Sequence, residues 1–290
     1  MGRKKSAGAP RPAVPRRSRL LGAAVCAALI LAGAIVWLRR PQTIELPYLT
    51  ARNAAVMDVA TGRFLSEKDA DAPRSPASLT KLMTLLLVLD DIESGVLGWE
   101  DTFTVTPAEA HTLGSKYGMR PGEVFTVRQL VAGAVMVSGC DCIQSLVKLC
   151  APDEAAFVER MNRKAARLGM GGSHFANATG IDASGHYMTA RDVARLARAL
   201  VREHPEILEF TAAPSLEIGG RTFQNIHRLV GRDSRVKGLK TGTTTIGGFS
   251  VCTYAEMDGR RYLVVLMDST SDSTRFAETL TVLDLLAEEG

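Results

Sequence analysis

Histidine and cysteine are scarce in this chain, five of each in 290 residues. Neither is arranged for the work it most often does. His174, His186 and His227 lie in separate segments, without paired carboxylates at ligand spacing, so no metal and no other cofactor is expected. Cys26 falls in an apolar run and Cys252 on a strand pattern. Cys140, Cys142 and Cys150 crowd one helical stretch, where positions two or eight apart cannot meet on a straight helix. No disulfide framework is legible, and free buried thiols are expected. Basic charge is also missing from most of the chain. The formal net charge is +4, but residues 1–19 hold seven Lys/Arg and no acid. The remainder carries 28 Lys/Arg against 31 Asp/Glu, a net of −3. That balance carries no nucleic-acid footprint. Internal repeats are absent, and only the basic arm is of low complexity.

What is abundant is apolar surface. A hydrophobic fraction of 46% is ample for a core in a chain of this length. Leu20 to Leu38 is a run of nineteen residues with no charge. At about 1.5 Å per residue it spans roughly 28 Å, close to the hydrocarbon thickness of a bilayer. Basic residues crowd its N-terminal side, which places that end in the cytoplasm. Ala32-Gly33-Ala34 also reads as a signal-peptide cleavage site, but Ile35, Val36, Trp37 and Leu38 continue the apolar run, favouring an uncleaved anchor. The expected layout is a basic cytoplasmic arm (1–19), a transmembrane anchor or signal peptide (20–38) and a linker (39–50). A working domain outside the cytoplasm (51–290) follows.

Within that domain, Ala54–Val59 and Phe64-Leu65 flank Thr61-Gly62 as a hairpin. Pro76 opens a helix over 77–92 that is apolar on every side and therefore buried. Further helices are predicted at 127–137, 140–150, 153–168 and 190–203. Strand patterns follow at 215–218, 235–240, 249–256 and 262–268, and a helix over 273–288 closes the chain. Strands at both ends with helices between predict an α+β fold. One sheet is built from the two ends of the domain, beside an all-helical lobe.

Three short motifs follow one another through this layout: Ser78-Leu79-Thr80-Lys81, Ser138-Gly139-Cys140 and Lys240-Thr241-Gly242. Ser-x-x-Lys occurs three times, also at Ser145/Lys148 and Ser234/Lys237. Only Ser78 stands in the first turn of a buried helix, where unpaired N–H groups and the dipole favour an oxyanion. A spacing of three puts the Ser78 hydroxyl and the Lys81 ammonium on one face. A serine is a poor nucleophile until a base takes its proton, and a lysine with a depressed pKa can do so. Lys240 with Thr241, Gly242 and Thr243 offers charge, hydroxyls and close backbone approach, features suited to a peptide ending in a carboxylate.

With these motifs in this order, residues 51–289 resemble the serine D-alanyl-D-alanine carboxypeptidases, the low-molecular-mass penicillin-binding proteins. Their superfamily carries Ser-x-x-Lys, Ser-Asp-Asn and Lys-Thr-Gly. His174-Phe175-Ala176-Asn177-Ala178-Thr179-Gly180-Ile181-Asp182 and Gly185–Asp192 are similar to the central stretch of that family. The resemblance implies a β-lactamase/transpeptidase-like fold, with an antiparallel sheet flanked by helices. It implies acylation of Ser78, with Lys81 as general base and Ser138 as proton relay. Cys140, Lys240, Thr241, Gly242 and Thr243 would meet the substrate, with the N–H groups of Ser78 and Thr243 as oxyanion hole. Arg275 resembles the carboxylate-binding arginine. The expected partners are peptidoglycan stem peptides, β-lactam antibiotics and, through the N-terminal run, the bacterial cytoplasmic membrane.

Two departures qualify these expectations. Cys140 stands where the family has asparagine, and a thiol cannot match a carboxamide's donors and acceptor. Losing one oriented hydrogen bond costs on the order of 2–4 kcal/mol in the barrier. A weakened peptidoglycan-binding or scaffold protein is therefore one alternative, and a D,D-endopeptidase is another. The resemblance also ends near residue 289, without the β-rich C-terminal domain and amphipathic anchor of many relatives. The N-terminal run is expected to supply the membrane attachment instead.

Overall fold

The sheet is assembled from apolar strand segments at the two ends of the domain. In the computed structural model, which describes residues 43–288, the N-terminal hairpin is β1 (Asn53–Asp58) and β2 (Phe64–Lys68). Two small hairpins follow, β3 (Thr102–Thr104) with β4 (Val124–Thr126) and β5 (Ser215–Ile218) with β6 (Arg221–Gln224). The last third supplies β7 (Val236–Thr244), β8 (Gly248–Met257) and β9 (Arg260–Ser269). The main sheet runs β2-β1-β9-β8-β7, every neighbouring pair antiparallel. The N-terminal and C-terminal parts of the domain thus meet where β1 pairs with β9, and β7 is left as an edge.

Alternation sorts the side chains between two cores. Ala55, Met57, Leu263, Val265 and Met267 face the helical lobe. Ala54, Val56, Tyr262, Val264 and Leu266 face the opposite layer. Both faces are covered, so the central strands read as continuous apolar runs. The lobe contains α1 (Lys81–Glu93), α2 (Val127–Met136), α3 (Cys140–Cys150) and α4 (Glu154–Arg167). α5 (Ala190–Glu203) lies across β1 and β9. The other face is covered by α6 (Asp272–Glu288) together with Ile44, Leu49 and Ala51. α1 is apolar all round and is enclosed as that pattern requires, with Leu82, Met83, Leu85, Leu86, Leu87, Val88 and Leu89 in the larger core.

Three expectations need adjustment. The helix expected over 77–92 begins as a 3-10 turn, Ala77–Thr80, and becomes α-helical only at Lys81. Ala77 has φ +49°, outside the helical region, and this turns the chain into the site. β6 was not foreseen. It pairs with β5 across Gly219-Gly220, both at positive φ, as a tight primed hairpin demands. The expected strand at 235–240 continues to Thr244, so the whole Lys-Thr-Gly motif lies within β7. The basic arm and apolar run of residues 1–38 lie outside the described residues. Among the described residues no helix is long and apolar enough to cross a membrane. Cys140, Cys142, Cys150 and Cys252 are free thiols.

Candidate active site

The edge strand and the 3-10 turn press together, and Gly242 is what permits it. A Cβ at Gly242 would stand 2.9 Å from the Pro76 carbonyl oxygen and 3.1 Å from the Ala77 Cβ. Gly242→Ala is therefore expected to push β7 off the turn and lower kcat/KM by about a hundredfold, since small misplacements in a reacting geometry cost that much. Kinetics alongside a thermal melt would check this. An alanine variant with wild-type turnover would show the close approach to be dispensable.

Ser78 stands in that turn, with Lys81 at the first residue of α1. The Lys81 Nζ donates to Ser78 Oγ at 2.7 Å and to the Thr179 carbonyl at 2.6 Å. Lys81 is fully buried, and burial is the main cause that lowers its pKa, opposed by the nearby Cys140, Cys142 and Asp141. The other two Ser-x-x-Lys pairs are not built this way. Ser145 donates to the Asp141 carbonyl within α3. Lys237 donates to the backbone of Ser234, not to its hydroxyl.

Across the cleft, Ser138 follows the end of α2 at φ +57°, a left-handed conformation that interrupts the two helices and aims its side chain inward. Its Oγ accepts from Lys240 Nζ at 2.8 Å. Lys240 is 1% exposed and also donates to the Thr241 carbonyl at 3.1 Å. Burial, then the charge of Lys81, pushes its pKa well down. Two buried ammonium groups thus repel one another, so the pair favours holding one proton fewer than two ordinary lysines would.

Ser78, Ser138, Thr241, Thr243 and Arg275 line one cavity of about 410 Å³, with Asn225, Arg228, Arg232 and Asp272 on its rim. Lys81 and Lys240 do not line it themselves; they are buried and bonded to the Ser78 and Ser138 hydroxyls that do. Cys140 is 2% exposed, with its amide donating to Ser115 O at 2.7 Å. Arg275, also buried, donates through Nη1 to Gly242 O (2.8 Å), Thr243 Oγ1 (3.1 Å) and Ser250 O (2.9 Å), and through Nη2 to Asp272. It fastens β7 to α6.

Several residues of the site carry no signal in the three motifs. Thr179 contributes only a carbonyl, so its side chain announces nothing. Asn177 shapes that loop, its Oδ1 accepting from Gly180 N at 2.7 Å. Gly180 passes so close to Ala77 that a Cβ would meet the Ala77 oxygen at 1.9 Å. His186 Nδ1 accepts from Ala176 N at 2.9 Å, so its neutral ring donates Nε2–H to Thr80 Oγ1 at 2.8 Å. Burial lowers its pKa to about 4. Asp141, at the start of α3, accepts from the amides of Tyr117, Gly118 and Met119 and holds the Ser115 loop. The His174–Asp182 stretch was the available signal for most of these residues. It braces Lys81.

Asp90, Glu203 and His204 lie close enough to suggest a metal site elsewhere. Their carboxylates are instead bridged by the Lys164 ammonium, 3.0 Å from each.

A serine hydroxyl bonded to a buried amine, beside a cationic β-edge in one cleft, is an arrangement suited to serine acyl transfer. Residues 40–271 match the family Peptidase_S11, D-alanyl-D-alanine carboxypeptidase. The chain is 31% identical over 273 residues to the D-alanyl-D-alanine carboxypeptidase DacC of Escherichia coli, covering 92% of this chain and 68% of that one. It is 29% identical over 248 residues to DacF of Bacillus subtilis, covering 84% of this chain but 63% of the relative. Among solved structures, penicillin-binding protein D2 of Listeria monocytogenes in its ampicillin-bound form is similar with a TM-score of 0.77 and 30% identity. That match covers 84% of this chain and 99% of the other. Penicillin-binding protein 5 of Haemophilus influenzae gives a TM-score of 0.80 at 26% identity, covering 83% and 72%. The chain belongs to the D-alanyl-D-alanine carboxypeptidase family.

Proposed function

We propose that this protein is a serine D,D-carboxypeptidase that removes the terminal D-Ala from peptidoglycan stem peptides, and that β-lactams acylate the same serine. The observation that carries the reading is the Ser78 hydroxyl 2.7 Å from a fully buried Lys81 ammonium, at the mouth of a cavity walled by β7. Relatives named D-alanyl-D-alanine carboxypeptidase support it, as does the ampicillin-bound relative.

In this mechanism neutral Lys81 takes the Ser78 proton as Oγ attacks the carbonyl of the penultimate D-Ala. The oxyanion is stabilised by the N–H groups of Ser78 and Thr243. Ser138, bonded to Lys240, relays a proton to the leaving nitrogen, the C–N bond breaks and D-Ala departs. Water then attacks the Ser78 ester and regenerates the hydroxyl. Lys240, Thr241, Gly242 and Thr243 hold the terminal residue as an added strand on the free edge of the sheet, and Arg275 stands at its carboxylate end. The work is placed outside the cytoplasm, with the apolar run of residues 20–38 as a single-pass tether.

The direct test is fluorescent penicillin labelling followed by mass analysis of the Ser78 peptide. An unlabelled wild type would count against the whole reading. Cys140 bears on rate instead. Cys140→Asn restores a carboxamide beside Lys81 and is expected to raise kcat/KM by about thirtyfold or more. Unchanged D-Ala release would show that the thiol does not limit turnover.

A further inference from the structure

The carboxylate end of the cavity already contains a carboxylate. Asp272 Oδ1 accepts from Arg275 Nη2, while its Oδ2 lies 2.5 Å from Arg228 Nη2. Every other acceptor of Arg275 is a backbone carbonyl or the Thr243 hydroxyl, and its buried Nε has no partner. Asp272 is the one acidic side chain lining the cavity, against Arg228, Arg232 and Arg275, and Arg232 has no acidic partner within 4 Å among the described residues.

We infer that Asp272 acts as an internal stand-in for the substrate's terminal carboxylate and sets how tightly that carboxylate is held. The inference rests on the carboxypeptidase reading above. A buried guanidinium needs a counter-charge, because an unpaired buried ion is costly. Burial works against the charge of Arg275, and Asp272 opposes that effect. An arriving carboxylate can therefore reach Arg275 only by exchanging with Oδ1. The exchange leaves no orphan, since Asp272 keeps its bond to half-exposed Arg228. One anion replaces another at a buried cation, so product with its own free carboxylate leaves by the same exchange. Asp272 is a specificity residue in this scheme. It touches neither Ser78 nor Lys81 in any hydrogen bond of the structure.

The test is steady-state D-Ala release from diacetyl-L-Lys-D-Ala-D-Ala by wild type and Asp272→Asn. The variant is expected to lower KM about twofold to fivefold with kcat within about twofold, the size of one partly exposed ion pair. Competition by the same peptide with a C-terminal amide is expected to be unchanged. A second variant, Arg228→Gln, leaves Asp272 bound to Arg275 alone and is expected to raise KM about threefold. Thermal melts show whether each variant is folded. A higher KM for Asp272→Asn, or equal shifts for acid and amide peptides, would overturn the inference and make Asp272 a prop for Arg275. A wild type that takes penicillin but shows unmoved KM in both variants sinks this inference alone. A wild type with neither labelling nor D-Ala release sinks the function on which it rests.

Discussion

Replacing Ser78 by alanine is expected to abolish penicillin labelling and lower D-Ala release by about a thousandfold or more, the scale on which covalent catalysis is lost with its nucleophile. The expectation is specific to this serine. Of the three Ser-x-x-Lys pairs, only Ser78 accepts a hydrogen bond from its lysine. It alone of the three lines the cavity with Ser138 and Thr241. Ser145→Ala should leave labelling and turnover near wild type, because the Ser145 hydroxyl is turned back onto the Asp141 carbonyl. A covalent penicillin band that survives in Ser78→Ala and vanishes in Ser145→Ala would place the nucleophile on the wrong helix.

Lys81→Gln is the second large effect. Glutamine is one atom shorter but keeps a polar, hydrogen-bonding end toward Ser78 and the Thr179 carbonyl, and it cannot take a proton. The acylation rate is expected to fall about a hundredfold to ten thousandfold, as for loss of a general base. The wild-type pH profile offers an independent check. Lys81 works as the neutral amine, so kcat/KM is lost as pH falls through its pKa. Burial lowers that pKa from the ordinary lysine value, which extends activity to lower pH than an exposed lysine would allow. An acid limb at the ordinary lysine value, or a glutamine variant with normal acylation, would remove Lys81 from the role of base.

Local patterns made much of this architecture readable. Continuous apolar runs in β1, β8 and β9 report a sheet covered on both faces, because each strand needs two apolar sides. The all-round apolar surface of 82–89 reports a buried helix. The free edge at β7 follows from a lysine, threonines and a glycine in one strand. Harder to read was the exact form of the entry to α1. The left-handed Ala77 is imposed by what packs on it, namely Gly180 on one side and Gly242 on the other. Neither neighbour is near it in the chain.

The sequence by itself determined the family, the order of the three motifs and the pairing of Ser78 with Lys81, since a spacing of three on one helical face is a local matter. Tertiary structure alone decided that the Thr179 carbonyl would meet Lys81, that Lys240 would reach Ser138, and that Arg275, already paired with Asp272 one helical turn away, would reach the Gly242 and Ser250 carbonyls. The first two contacts join residues about a hundred positions apart, where no periodicity relates the partners. The third ties α6 to β7 and β8. Packing of α6 on the sheet makes it, because a buried guanidinium must find hydrogen-bond partners where it lies.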